Sequence, residues 1–287
     1  FKDVGAALDR ILPEEVAIAA IKEGVEKSDG KKGREIVERN FCAIDAALAG
    51  LHEIPVPGKV TSTRERRPAV PVGVPAFVRE VLAPMMEGRG DDLPVGALPA
   101  DGSYPPGTAA WDKRNLATEI PVWEPDLCIF CGKCVFVCPH TSIRSKAFVV
   151  DTVADAPSTF KHAPVKGKEF EPGTHMSYQV APEDCTGCTL CVDACPAVSK
   201  DDPDFKALNM RPLAPRREEE IANWEYFLTI PDYDRTRIRR ATIKGCMLYQ
   251  PLFEFPSACV GCGETPYIRL ATQLFGDRMV IANATGC

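Results

Sequence analysis

Apolar positions along this chain fall into short periodic runs, separated by long stretches in which proline and glycine break every period. Residues 13–29 open on Pro13-Glu14-Glu15, acids placed where a helix dipole favours them, and predict a first helix. After Gly33, the residues Val37, Phe41, Ile44, Leu48 and Leu51 recur at intervals of four and three, one apolar stripe of a second helix. Cys42 inside that helix is expected as a small buried apolar residue. Ala147–Val150 and Met176–Val180 read as short strands. A further helix follows Arg217 and carries Ile221, Trp224 and Leu228. Near the end, Thr265 is a good helix N-cap, Pro266 a good first residue, Leu270 and Leu274 an apolar face, and Gly276 a C-terminal cap. Met279–Ala282 then predicts a buried strand.

Between these runs the composition shifts. Ten prolines occur from Pro55 to Pro106, which excludes long helices and central strands and predicts an extended connector. Only Ala76–Met86 has room for a short helix there, kinked or ended by Pro84. The apolar residues Val72, Val74, Phe77, Val78, Val81, Leu82 and Leu93 predict a strap packed over other parts of the molecule rather than a disordered segment.

Composition narrows the function. The formal net charge is −6, which argues against a nucleic-acid binder. No uninterrupted apolar run is long enough to span a bilayer. Thirteen cysteines in 287 residues, with no visible signal peptide, predict a reducing cytoplasm and metal ligation rather than disulfides. The chain is expected to be an internal piece of a longer polypeptide. The basic run from Arg235 to Arg240 is expected as a solvated face, with docking of an acidic electron carrier as the sharper reading.

The cysteine spacing carries the chemistry. Cys128, Cys131, Cys134 and Cys138-Pro139 form one C-x₂-C-x₂-C-x₃-C-P run, and Cys185, Cys188, Cys191 and Cys195-Pro196 form a second. This is the spacing of bacterial-type [4Fe–4S] sites, in which the fourth cysteine of each run ligates the other cluster. It assigns Cys128, Cys131, Cys134 and Cys195 to one cluster, and Cys185, Cys188, Cys191 and Cys138 to the other. Structural zinc, the bland alternative, pairs two C-x₂-C knuckles with two ligands each, whereas three cysteines crowd into seven residues here, twice. Cys259-x₂-Cys262 alone stays open between half a zinc knuckle and part of a cluster. With the loop, helix and strand around it, it suggests an α/β site outside strand ends.

Taken together, the two runs, Gln250-Pro-Leu-Phe-Glu-Phe255, Ala258-Cys259-Val-Gly-Cys262-Gly-Glu264-Thr-Pro266-Tyr267, and Leu274-Phe-Gly-Asp-Arg-Met279 through Asn283-Ala-Thr-Gly-Cys287 resemble the long single-chain pyruvate:ferredoxin (flavodoxin) oxidoreductases. The connector matches that family's small segment with a Glu-Lys-Arg signature, written here as Asp112-Lys113-Arg114. The resemblance implies an α+β multidomain fragment: the end of a γ-type domain over 1–54, the Pro/Gly-rich connector over 55–120, a ferredoxin-like 2×[4Fe–4S] module over 121–205, and a linker with the start of an α/β thiamine-diphosphate-binding domain over 206–287. It implies oxidation of pyruvate with coenzyme A to acetyl-CoA and CO₂, using thiamine diphosphate and Mg²⁺. Electrons would pass through [4Fe–4S] clusters to ferredoxin or flavodoxin, in a full-length homodimer. By motif match, Cys259, Cys262 and Cys287 are three ligands of a proximal cluster whose fourth ligand lies outside this chain. Cys246 is a weak substitute for it. Glu264 and the segment around Cys287 are expected to touch the thiamine diphosphate, and no catalytic residue is expected within these 287. The alternatives are a dicluster electron-transfer subunit of another complex, which would lack the Cys262-Gly-Glu264-Thr-Pro266 motif, and a zinc-binding interaction protein, which would be colourless.

Overall fold

The computed structural model describes residues 13–282, apart from 57, 64, 66, 67 and 166. Contacts divide the chain into two compact units, Phe1–Arg66 and Arg67–Cys287. The first is a helical hairpin of α1 (Glu14–Asp29) and α2 (Arg34–Ala49), with Glu14 and Glu15 in the first turn as their charge favours. Polar ties join the two helices: Arg34 Nη1 to Glu26 at 2.9 Å, Asn40 Nδ2 to Asp29 Oδ2 at 3.0 Å and Lys22 Nζ to Asp45 at 2.6 Å. Val37 is fully buried, whereas Leu51 lies past the helix and is exposed. Cys42 is exposed as well, contrary to expectation. It neighbours Phe41 in sequence and so points about 100° away from the stripe.

In the second unit, residues 76–86 are helical, and Val78–Leu82 form a π turn leading into α3 (Ala83–Met86). Pro84 explains the widened turn. In a regular α-helix its ring would strike the carbonyl four residues back, and it has no N–H to donate. Here it sits in the first turn of the resumed α-helix. Val70, Val74, Val78, Leu82 and Ala83 bury one another, so this part of the connector is packed rather than disordered.

Two small antiparallel sheets follow. β1 (Glu119–Trp123) pairs with β5 (Leu208–Pro212), placing Trp123 opposite Leu208. The second sheet has the order β2-β4-β3, from β2 (Ile143–Val149), β3 (Ala163–Pro164) and β4 (Thr174–Val180). β4 contains the predicted strand at Met176–Val180, β2 covers the other as far as Val149 with Val150 in the turn that follows, and the pair registers Ala147 opposite Met176. Short helices carry cysteines from the two runs: α4 (Lys133–Val137) holds Cys134 and α5 (Leu190–Asp193) holds Cys191.

The remaining helices close over these sheets. α6 (Arg217–Thr229) buries Trp224 and Phe227, whose rings stack at 5.4 Å beside Phe148 and Phe160. Full burial of a side chain such as Phe227 is worth about 3 kcal/mol. Leu228, expected on the apolar face, is half exposed, because burial follows the three-residue step from 224 to 227. α7 (Ile243–Cys246) and α8 (Thr265–Phe275) pack against α4. The expected strand at Met279–Ala282 is absent: these residues form no ladder, and Val280 is 98% exposed. A four-residue apolar run specifies a strand only with a partner edge, and no described strand supplies one. Among the described residues, no helix is long and apolar enough to cross a membrane.

Candidate metal centres

The two cysteine runs fold alike. Phe130 and Gly132 in the first, and Gly187 and Thr189 in the second, have φ of 55°, 74°, 67° and 66°. They stand two and four residues after the first cysteine of each run, so both loops make the same pair of left-handed turns. Phe130 and Thr189 carry side chains there, at a cost of roughly 1–3 kcal/mol each. At Gly132 and Gly187 a side chain would also be crowded. A Cβ would lie 3.2 Å from the Lys244 Cα in one case and 3.2 Å from the Glu119 carbonyl oxygen in the other.

Each curled loop faces a cavity that the other run completes. Cys128, Cys131, Cys134 and Cys195 line one. Cys138, Cys185, Cys188 and Cys191 line the second. This is the crossed grouping that the spacing predicts. The sulfurs surround a volume rather than a point, as a cuboidal cluster requires. Among the described residues, no three His, Cys, Asp or Glu side chains stand close enough to hold a single ion.

The cavity walls fit a sulfur-rich, anionic guest. Thr186 Oγ1 belongs to a residue lining the second cavity and is buried without a partner among the described residues, and Trp123, lining the first, faces the Cys128 thiol and lowers its pKa through a side-chain hydrogen bond. An orphaned buried hydroxyl calls for an explanation, and a cluster bound in that cavity would supply one. The Phe130 and Gly187 amides donate to Cys128 Sγ at 3.3 Å and Cys185 Sγ at 3.5 Å. Trp123, Phe130 and Tyr178 form an aromatic wall, with ring centroids 5.3–6.4 Å apart.

Electrostatics point the same way. Burial pushes the thiols of Cys134 and Cys191 well above their ordinary value, raises that of Cys128, and pushes that of Cys185 up to about 12. Within each set, neighbouring thiolates add to the rise: Cys195 acts on Cys128 and Cys134, and Cys138 acts on Cys185 and Cys191. Left alone, these sulfurs stay protonated. Iron would supply the positive charge that lets them ionise, so binding releases protons and stabilises the fold at once.

A buried arginine fixes the crossing point. Arg269, 1% exposed on α8, donates from Nη1 to the carbonyls of Val135 at 2.6 Å and Cys138 at 3.1 Å, and from Nη2 to that of Phe136 at 2.5 Å. These carbonyls end α4, where a helix leaves its acceptors unpaired and favours a cation. The stretch from Cys134 to Cys138, which passes from one cavity to the other, is thereby held by a residue 131 positions downstream of Cys138.

The third cysteine pair is built differently. Cys259 is exposed and Cys262 half-buried. Backbone N–H groups of Thr265 and Glu264, at the start of α8, hold the Cys262 thiol below its ordinary value. The helix runs from Thr265, with Glu264 in the cap position, one residue earlier than predicted. Glu264 is exposed. Cys287, the third expected ligand here, lies outside the described residues. Cys246 is buried in the main core, bonded to the Ile243 carbonyl at 3.4 Å, and lines neither cysteine cavity.

This loop approaches the second cavity. His140, on that cavity's wall, contacts the Pro256 carbonyl through Nδ1 at 3.2 Å, and its own carbonyl accepts from Phe255 N at 3.1 Å. A Cβ on Gly261 would lie 4.0 Å from Leu190 Cδ1 on α5. The basic run forms an exposed face, as expected, with Arg235 lying over the Tyr249 ring and Arg237 paired to Glu171. Sequence reasoning missed Trp123, Thr186 and Arg269. A polar stripe at Thr265, Arg269, Thr272 and Gln273, all buried, was the available signal for the last.

Comparison with known proteins agrees with this geometry. Residues 127–198 match a family described as a 4Fe-4S dicluster domain, and residues 63–117 match one described as a domain of unknown function. The chain is 50% identical to a pyruvate-flavodoxin oxidoreductase of Nostoc sp. over 98% of its length, covering 24% of that protein. It is 44% identical to the pyruvate-flavodoxin oxidoreductase of Rhodospirillum rubrum, with 98% and 23% covered. To the pyruvate:ferredoxin oxidoreductase of Moorella thermoacetica it is 43% identical, with 96% and 23% covered. The chain thus spans about a quarter of the length of the curated relatives it matches.

Proposed function

We propose that this chain, homologous over nearly its whole length to the pyruvate-flavodoxin oxidoreductases, is the electron-conducting segment of such an enzyme. The reaction of the whole enzyme would be pyruvate and coenzyme A giving acetyl-CoA and CO₂, with one proton and two electrons released. The electrons leave singly towards ferredoxin or flavodoxin. The observation that carries this reading is the pair of cavities, each lined by four cysteines drawn from both runs.

Cys128, Cys131, Cys134 and Cys195 would hold one [4Fe–4S] cluster, and Cys138, Cys185, Cys188 and Cys191 the other. Cys259 and Cys262 would contribute to a third, together with Cys287. His140 and Leu190 link the Cys259–Cys262 loop to the second cavity, so the route runs from that loop through the Cys138/Cys185 centre to the Cys128/Cys195 centre. Ile129, on the wall of the last cavity, is 62% exposed, which supports an exit to the soluble carrier there. The expected domain division, a cytoplasmic setting and a full-length homodimer belong to the same reading.

Thiamine diphosphate with Mg²⁺ supplies, when bound, the carbon centre at which the oxoacid loses CO₂. This chain offers that group Glu264, exposed at the start of α8 and two residues from Cys262. In the full-length enzyme, Glu264→Ala should weaken thiamine diphosphate binding while iron content stays at the wild-type level. Unchanged affinity and turnover would remove Glu264 from the site. For the clusters, these 287 residues reconstituted anaerobically should hold about eight irons, two four-iron clusters. Zinc in place of iron, with no visible absorption, would overturn the reading.

A further inference from the structure

The connector matched to a domain of unknown function carries Asp112-Lys113-Arg114 near its end, and the last two of these side chains reach two different cysteine loops. Lys113 Nζ pairs with Asp184 Oδ2 at 2.6 Å. Asp184 is 1% exposed and directly precedes Cys185. Arg114 Nη1 donates to the Ala258 carbonyl at 2.7 Å, and Ala258 directly precedes Cys259. Lys113 also lies 5.2 Å above the ring of Phe255, upstream of Cys259.

The residues around the pair reinforce the hold. Asn115 N donates to the Glu183 carbonyl at 2.9 Å, and Arg217 Nη2 binds both Asn115 Oδ1 at 2.6 Å and Glu183 Oε1 at 2.7 Å. Ser142 Oγ donates to the Asp184 carbonyl at 2.8 Å. Further on, Ala117 and Glu119 lie against Gly187, between Cys185 and Cys188. The stretch from Lys113 to Glu119 is therefore laid along one cysteine loop and bonded to the other.

We propose that Lys113 and Arg114 are positioning residues that clamp the Cys185–Cys191 loop to the Cys259–Cys262 loop and so set the separation of the two centres that exchange electrons between them. The connector thereby delivers a cationic pair to the junction of two redox sites. Lysine suits the single carboxylate of Asp184, and the longer arginine fork suits a backbone carbonyl. Neither side chain is a cluster ligand, and neither gains or loses a proton in the transfer. The clamp rests on the cluster assignment proposed above.

The test uses the full-length enzyme, purified anaerobically, with Arg114→Met and Lys113→Arg. Arg114→Met frees a backbone carbonyl without orphaning a buried charge, whereas Lys113→Arg keeps the charge but changes its reach. Iron content is measured first, then the magnetic interaction between neighbouring reduced clusters by electron paramagnetic resonance, and then the rate of electron passage between them. The clamp predicts wild-type iron, an altered splitting from the interacting pair, and slower passage in both variants. A splitting identical to wild type in both overturns it. If Arg114→Met loses iron, Arg114→Lys decides: restored iron with altered splitting supports the clamp, and restored iron with wild-type splitting, or iron still missing, overturns it. A wild-type enzyme with no interacting pair would instead overturn the cluster assignment itself, so the two failures are distinguishable.

Discussion

Two parts of this molecule share the C-x₂-C spacing and treat it in opposite ways. Between Cys128 and Cys195, sheets, aromatic rings and short helices close around the sulfurs, and burial pushes thiols such as those of Cys134 and Cys191 well above their ordinary value. At Cys259 and Cys262 the sulfurs stand at an exposed loop, and helix-start amides hold the Cys262 thiol below its ordinary value. The spacing alone reads alike in both places. The surroundings separate buried thiols, which stay protonated without a counter-charge, from an open loop in which helix-start amides favour the thiolate.

The largest break in that contrast should come from removing iron. Chelation under reducing conditions should abolish the cooperative melting of residues 117–213, read by hydrogen exchange, while protection of α1 and α2 persists. Unchanged protection of β1, β2, β4 and β5 in the iron-free protein would show that the enclosed region folds without its guests.

Arg269→Met should have the next largest effect. It strips the Val135, Phe136 and Cys138 carbonyls of a charged donor inside the core and should cost about 3–5 kcal/mol in denaturant unfolding. A cost below about 1 kcal/mol would mean that α4 is held by its cysteines alone.

Much of this organisation was legible in the residues. The four-cysteine spacing leads to both cavities and their crossed membership, since a rule of ligand sharing needs no tertiary information. The acids at its start place α1, and apolar positions place α2, α6, α8 and the strands β2 and β4. Such local pattern fails where meaning depends on distant partners. The pairing of β1 with β5 joins segments far apart in the sequence, Glu119–Trp123 with Leu208–Pro212. Arg269 and Gln273 look like a solvent face of α8 and are buried, because α4 offers carbonyls that want a cation and Tyr249 offers one that accepts from Gln273 Nε2. Met279–Ala282 looks like a buried strand and is exposed. In each case local pattern was overruled by the partner present or absent.

A smaller effect sharpens the enclosed side. His175 on β4 contacts His162 with Nδ1 atoms 2.7 Å apart. Burial, and then the neighbouring His162, lower its pKa from 6.5. The folded form therefore binds a proton less readily than the unfolded chain. The stability this confers is complete above pH 6.5 and is lost as pH falls through the folded value. Between about pH 7.5 and 5, stability should fall through this group in wild type, and by less in His175→Gln. A variant with the same pH slope as wild type would place the titration elsewhere.

The central claim is the crossing of ligands between the two enclosed cavities, and one comparison tests it most directly. In a chain carrying Cys128→Ala, Cys131→Ala and Cys134→Ala, the surviving cluster should be the one held by Cys138, Cys185, Cys188 and Cys191, with about four irons. Adding Cys195→Ala to that chain should leave its iron content and reduced paramagnetic signal unchanged, whereas adding Cys138→Ala should destroy or convert the cluster. The reverse result, with Cys195→Ala destructive and Cys138→Ala silent, would contradict the account.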